Sequence, residues 1–467
     1  MTHLRRNLGL IEAIALSLSI IAPTMAMAFN VTLAVGAAGR AAPLAFAVGT
    51  VALAIVGLSF VAFARRVAHA GSAYAYIARE FGPRAGFVAG WALMLTYLAF
   101  GAGTAVLAGN FVDAAIADYM PAAPHLWVPV SVLAIVGAVA LAYQNMRLAA
   151  RVMLVLEAVS VLAIIVLGVI VLDAVGRAGG LTSAPFVPDP NSGWSGVGYA
   201  MVFAVLSFAG FEGAATLGEE TGDPNRSIPI AVLGTVILAG AFYVFASYVQ
   251  VVGFGLGNMK ALAADSAPLN TLALRFGSRN FAMVLDLAAA ISAFSCVLGS
   301  LSAASRMLFA LGRAGLAPVL GRVHDRHGTP GLAVLTIGTI SIAAVLLWAP
   351  FTGAGNFYGD VGTIGTLALI LVYIGVTIAE AIDAARERKV LWAALGTAGM
   401  LILLWPLYNS VYPLPAFPQD LWPYVVIAYL VLGLGVLALR PAIGRMGWQV
   451  PGQEFSKSDI EGKGGHS

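Results

Sequence analysis

Apolar residues run along the chain in twelve long blocks, 10–38, 42–64, 84–112, 126–144, 151–174, 196–217, 229–255, 280–311, 331–349, 360–383, 391–410 and 421–439, separated by short polar stretches. A helix needs about 20 predominantly apolar residues to cross the hydrocarbon layer of a bilayer, and each block meets or approaches that length. The blocks are continuous and do not alternate apolar with polar, so they are not barrel strands; lipid admits only helices and closed barrels. The pattern predicts an all-α integral membrane fold of twelve transmembrane helices, numbered here as spans 1 to 12. Residues 1–9 form a short N-terminal segment. Residues 440–467, ending "GQEFSKSDIEGKGGHS", read as a polar, glycine-rich, disordered tail.

Composition agrees, with 60% hydrophobic and 10% charged residues, far from the roughly 25% charge of soluble domains. The single cysteine, Cys296, lies in an apolar run and excludes an internal disulfide. Charge then orients the chain. Twenty of the 25 basic residues fall in one set of loops and ends, among them Arg5, Arg65, Arg84, Arg147, Arg313 and Arg386. Arg40, Arg177, Lys260, Arg275 and Arg279 make up the opposite set. By the positive-inside rule both termini are cytoplasmic, in a cell (inner) membrane. The net charge of +3 reflects this asymmetry, not a nucleic-acid partner.

The stretch "SIIAPTMAMAFN" admits two readings. Basic residues, an apolar run and Ala26-Met27-Ala28 resemble a cleavable signal; alternatively, Pro23 breaks a retained span. Internal symmetry favours the break. Span 6 carries "LSFAGFEGAATLGEE", with Gly210, Gly213 and Gly218 and the acid Glu212 inside an apolar run. If residues 10–174 and 196–383 are two five-helix repeats, spans 1 and 6 are the first of each, and both are interrupted. Repeats with an odd number of helices are inverted with respect to each other, and paired interruptions mark a secondary transporter's binding site. Residues 391–439 then add two C-terminal helices. Apolar sequence also continues beyond Ala28, too far for a signal.

Pro23 has no amide to donate and clashes with the carbonyl one turn earlier. Carbonyls near Ser19 and Ile20 are thereby freed, and the amides of Thr24, Met25 and Ala26 begin a half-helix with a positive end. Donors and acceptors side by side suit a zwitterion, with its α-carboxylate on the amides and its α-ammonium on the carbonyls.

Ionisable groups inside spans are costly and mark function. All six histidines lie outside the spans, which argues against a histidine relay, a metal centre or a membrane-embedded enzyme; no cofactor is expected. The buried acids are Glu157 in span 5 and Glu212 in span 6. Glu212 is either a proton carrier or a latch to span 1, and Glu157 a coupling site or a hydrogen-bonded structural acid. Asp286 and Glu380 lie near enough to the span ends to be solvated.

The segments "AGSAYAYIAREFGPRAGFVAGW", "SFAGFEGAATLGEETGDPNRSIPIAV" and "AASRMLFALGRAGLAP" resemble the amino acid–polyamine–organocation family of permeases, most specifically in "EETGDPNRSIP". The resemblance extends from residue 10 to about 440. It implies twelve helices in two inverted five-helix repeats plus two, alternating access, and amino acid substrates. Carried over, it implies a site at Ala22, Pro23, Thr24 and Met25 of span 1 and Phe208, Ala209, Gly210 and Phe211 of span 6. Thr96, Tyr97 and Gly101 of span 3 and Ser292 and Ser295 of span 8 complete it, and Glu212 matches the family's span 6 acid. Two departures stand out. The span 1 break, "IAPTMA", is poor in glycine, and the span 5 lysine of several proton-coupled relatives is replaced near Ser160.

With Tyr97, Phe208 and Phe211 as walls and no counter-charge beyond Glu212, a neutral amino acid is the expected substrate. The expected activity is a proton-coupled symport through Glu212. Sodium held by Ser160, Ser292 and Ser295, an exchanger, a polyamine or organic amine permease, and a nutrient sensor that binds without transporting are the alternatives.

Overall fold

The computed structural model describes residues 14, 17, 18, 21–64, 72–143, 147–212, 224–322, 329–440 and 443. The first nine residues, most of the tail, Gly213, Gly218 and the Glu219-Glu220 pair lie outside the described residues.

The described chain is helical throughout, with no strand among the described residues. The helices are α1 (Pro23–Ala38), α2 (Ala42–Ala64), α3 (Ser72–Phe81), α4 (Pro83–Ala117), α5 (Trp127–Tyr143), α6 (Arg147–Arg177), α7 (Gly193–Phe208) and α8 (Pro224–Phe254). They continue with α9 (Met259–Ala264), α10 (Pro268–Phe276), α11 (Arg279–Arg313), α12 (Gly331–Leu347), α13 (Ala349–Thr352), α14 (Ala354–Arg386), α15 (Val390–Asn409) and α16 (Trp422–Leu439). Among the described residues nine helical stretches are long and apolar enough to cross a membrane, Pro23–Phe63 counting as one, and α5 and α7 are shorter apolar helices.

Continuous apolar sequence makes these helices, because a helix satisfies its own backbone in lipid. Three helices escape a search for spans. α3, α9 and α10 are too short to cross, and α3 and α10 are two-faced. Tyr76 and Ile77 of α3 and Leu269 and Leu272 of α10 are buried, whereas Glu80 sits at the surface side and pairs with Arg386 at the end of α14.

α4 and α14 form the centre. Long runs of both are buried, including Gly101, Thr104 and Leu107 of α4 and Gly365, Leu369 and Tyr373 of α14. Around them α1 packs on α7, α2 on α8, α4 on α11 and α5 on α12. Several of the remaining pairs come in couples. α4 meets α14 and α11 meets α6; α4 meets α5 and α11 meets α12; α1 meets α6 and α7 meets α14. α15 and α16 lie on the outside, against α14.

Asp286 and Glu380, expected to be solvated, are instead buried at 2% and 1% exposure. Asp286 is close to the start of α11, yet α10 folds over it and Asn270 Nδ2 donates to its carboxyl at 2.5 Å. A short helix that no span pattern reveals removes the water that proximity to the end would have supplied.

Candidate functional site

The interruption in span 1 is one residue wide. Residues 14, 17, 18 and 21 are helical, Ala22 takes left-handed angles (φ 46°, ψ 63°), and α1 restarts at Pro23. Proline disfavours a right-handed residue before it, which drives Ala22 out of the helix. The Ala22 amide still donates to the Leu18 carbonyl at 3.0 Å.

A new helix start leaves orphan amides, and here each has an owner. Pro23 has none to offer. Thr24 N–H donates to Glu157 Oε1 at 2.7 Å, Met25 N–H to Ser292 Oγ at 3.1 Å, and Ala26 N–H to the Ala22 carbonyl at 3.0 Å. Ser292 lies beside Glu157. The amides expected to receive a substrate carboxylate are thus engaged by the protein. Met25 N–H, in bonding Ser292, leaves the Ile21 carbonyl without its helical partner.

Span 6 breaks where Phe208 ends α7. Ala209 is extended (ψ 123°) and Gly210 has φ 105°, a conformation open to glycine and strained for other residues. Gly210 N–H donates to Glu212 Oε2 at 3.2 Å, so the acid caps its own break. Tyr97 of α4 and Tyr373 of α14 donate to the same carboxyl at 3.2 and 2.8 Å. Ser17 Oγ joins the segment before α1 to the Phe211 carbonyl at 3.1 Å. Glu212 is therefore a hub of α4, α14 and the span 6 break.

A small cavity opens between the two breaks. It is bounded by Ile21, Met25, Ala26 and Asn30 on the span 1 side and by Leu206 and Ala209 on the span 6 side. Tyr97, Phe100 and Thr104 of α4, Cys296 and Ser300 of α11, and Tyr358 of α14 close it. Its polar wall is interlinked. Tyr358 Oη donates to Asn30 Oδ1 at 2.7 Å, and Asn30 Nδ2 donates to Ser207 Oγ at 2.7 Å.

Of the residues anticipated from sequence, Met25, Ala26, Tyr97 and Ala209 line this cavity. Phe208 and Phe211, expected as walls, do not. Both are fully buried: Phe208 packs edge-on to Tyr243, and Phe211 packs with Phe60 and Tyr373. The turn at Ala209–Gly210 aims those rings away and leaves the small Ala209 facing inward. Thr96 donates to the Gly365 carbonyl at 2.9 Å, joining α4 to α14, and Gly101 admits Leu301 of α11, whose Cδ2 would lie 2.6 Å from an added Cβ. Ser160 Oγ donates to the Leu156 carbonyl of its own helix at 2.7 Å. Ser295 is buried on α11, one position before the cavity residue Cys296.

Asn30, Phe100, Thr104, Ser300 and Tyr358 escaped sequence reasoning. A signal existed for some. Ala26 and Asn30 are four residues apart, as are Phe100 and Thr104 and also Cys296 and Ser300, so each pair shares a helix face. Tyr358 had none, because its partner Asn30 is 328 residues away.

A membrane-embedded cavity flanked by two discontinuous helices is the organisation of a membrane transporter. Sequence comparison gives the family: the chain belongs to the amino acid permeases, whose pattern matches residues 13–411. Among similar proteins, the low-affinity putrescine importer PlaP of Escherichia coli is 27% identical over 73% of this chain and 75% of its own. The branched-chain amino acid permease BcaP of Lactococcus lactis is 27% identical over 87% and 90%. An uncharacterized transporter of Mycobacterium tuberculosis is 28% identical over 98% and 96%. The manganese transporter of Eremococcus coleocola shares the fold, with TM-score 0.58 at 11% identity over 93% of this chain and 95% of that one.

Proposed function

We propose that this chain is a secondary active transporter for small amino compounds, amino acids or the amines related to them, working by alternating access with a co-transported proton. One observation carries the reading: the cavity lies between the two helix interruptions. Breaks at corresponding places in two halves are where transporters of this architecture hold their cargo.

The packing supports the two-repeat layout. Exchanging residues 10–174 with 196–383 maps α1 on α7, α2 on α8, α4 on α11, α5 on α12 and α6 on α14, and each coupled contact named above maps onto its partner. On this reading there are twelve crossings, with α5 and α7 among them, and the basic loops place both termini in the cytoplasm. The names of the relatives, a putrescine importer and branched-chain amino acid permeases, support cargo carrying an amino group.

The proton is favoured over sodium by where the Glu212 carboxyl is. Ser292 Oγ accepts from Met25 N–H and Ser160 Oγ donates to its own helix, bonds that leave a lone pair on each, so the serines themselves do not decide between the ions. Glu212 is buried, touches Tyr97 on the cavity wall, and also holds Tyr373 and Gly210. A carboxyl that joins three elements reports a change of its charge to all of them.

Proteoliposomes loaded with the purified protein test the reading. Uptake of labelled leucine or 1,4-diaminobutane should accelerate with an inward proton gradient at zero sodium. Glu212→Gln should remove that acceleration while sparing exchange. Uptake that requires sodium and ignores pH would overturn the coupling, and binding without uptake would make the protein a sensor.

A further inference from the structure

A second concavity lies on the outer seam of the bundle, away from the breaks. There α4 and α16 are clasped to each other. Trp91 Nε1 donates to the Tyr429 carbonyl at 3.0 Å, Tyr429 Oη donates back to the Trp91 carbonyl at 3.2 Å, and the two rings stack with centroids 5.0 Å apart. Gly433 makes room for the indole, since an added Cβ would lie 2.6 Å from it. Beyond this clasp, towards the start of α4, the helices part. Arg84, Ala85 and Val88 of α4 and Leu434, Leu437 and Ala438 of α16 line a groove of about 470 Å³. Residues three and four apart make each wall a single helix face. Leu434 and Ala438 are exposed, so the groove opens to the outside of the bundle.

Walls of leucine, valine and alanine are as apolar as lipid tails, so in a bilayer an acyl chain fills the groove. Its polar end decides which lipid. Arg84 is exposed there and makes no ion pair among the described residues. Glu80, four residues before it, is held by Arg386. Gly82 precedes α4 without a side-chain cap, and an added Cβ on it meets no atom within 4 Å, so the positive end of a 35-residue helix is open beside Arg84. Arg440, two residues past Ala438, brings a second guanidinium to this end of α16, and its bonds to the Gly315 and Leu316 carbonyls leave that charge in place. These charges all have one sign. A zwitterionic headgroup would bring its own cation to them, whereas an anionic headgroup brings none.

We propose that this groove is a binding site for an anionic phospholipid, with its phosphate on the Arg84 guanidinium and one acyl chain between α4 and α16. The leaflet is the cytoplasmic one by the positive-inside rule. A guanidinium receives phosphate oxygens on a two-pronged fork, and basic pockets between membrane helices on that side suit such headgroups. The lipid completes the seam beyond the Trp91–Tyr429 clasp and so braces α4, the helix that carries Tyr97, Phe100 and Thr104 to the cavity. The site is independent of the cargo and of the coupling ion.

Native mass spectrometry tests it. The purified protein is titrated in detergent with phosphatidylglycerol or with phosphatidylcholine of identical acyl chains, and the Kd of the first lipid bound is read for each. Phosphatidylglycerol should bind at least about fivefold tighter, the effect of one basic residue on an anionic lipid. Arg84→Gln should erase the preference. Ala438→Phe, which fills the groove and leaves the charges, should weaken the binding of both lipids. Phosphatidylglycerol should also raise the thermal midpoint of the wild type and leave that of Arg84→Gln where it was. Equal Kd values for the two lipids in the wild type would overturn the proposal, as would an Arg84→Gln protein that keeps the preference or an Ala438→Phe protein that binds both lipids as before. Displacement of phosphatidylglycerol by glycerol 3-phosphate at the lipid's own concentration would make the occupant a soluble phosphate and overturn it too.

Discussion

The two helix breaks solve one problem in different ways. Each exposes amides that lipid cannot satisfy, and each recruits a buried carboxylate. At the span 6 break the acid is local, Glu212 two residues after Gly210, and it is gripped by tyrosines of α4 and α14. At the span 1 break the acid is borrowed from α6, 133 residues away, with Ser292 of α11 beside it. The backbone differs as well. Span 6 uses a glycine at φ 105°, whereas span 1 forces an alanine to φ 46°. A break capped by its own chain moves as a unit with its acid. One capped by its neighbours keeps its cap only while α6 and α11 stay in place, so these two breaks are built to respond differently when the halves of the protein move.

Loss of the Glu212 carboxyl has the largest expected effect. Glu212→Ala leaves two phenols and one amide without their acceptor, and at 1–3 kcal/mol for a buried unsatisfied group the loss is about 3–5 kcal/mol once the tyrosines relax. Thermal unfolding in detergent should record a large fall, and uptake should vanish. Gly210→Ala comes next, since a side chain at this φ costs about 1–2 kcal/mol; the same unfolding assay checks it, with the purified species remaining monodisperse.

The tyrosines separate binding from mechanism. Tyr97→Phe and Tyr373→Phe each remove one hydrogen bond to Glu212, worth about 1–2 kcal/mol of stability. Only Tyr97 lines the cavity. Tyr97→Phe should therefore raise the KM for uptake, and Tyr373→Phe should lower kcat with KM nearly unchanged. Equal effects on KM would remove Tyr97 from the binding wall.

The smallest effect has the opposite sign. Ala22→Gly relieves a left-handed alanine and should stabilise the protein by up to about 1 kcal/mol, glycine's greater freedom in the unfolded chain offsetting part of the gain. Destabilisation in the unfolding assay would mean that Ala22 is not held in that conformation.

Much of the fold was legible because its signals are local. The length of an apolar run announces a membrane helix, and Pro23 and Gly210 announce breaks within four residues of where the chain leaves the helix. Glu212 was legible for the same reason. The cap on span 1 was not, because nothing near Thr24 points to Glu157. The same limit hid Tyr358 and Asn30, which meet only after α14 packs on the span 1 side. Phe208 and Phe211 show a second limit. Sequence placed them at the break, but which way a ring points depends on the turn between them, and that turn sends both into packing. Asp286 shows a third, since a short two-faced helix covers it without leaving any mark in a search for spans.

If cargo binds in the cavity between the breaks, the chain carries its own reporter there. Cys296 is the only cysteine and lines that cavity. Its alkylation by a small hydrophilic maleimide, followed by mass spectrometry in proteoliposomes, reads whether the cavity is occupied. A transported compound at about ten times its Kd should slow the labelling about tenfold, as mass action requires for an occupied site, and a non-transported analogue should leave the rate unchanged. A transported compound that gives Cys296 no protection would contradict binding in that cavity.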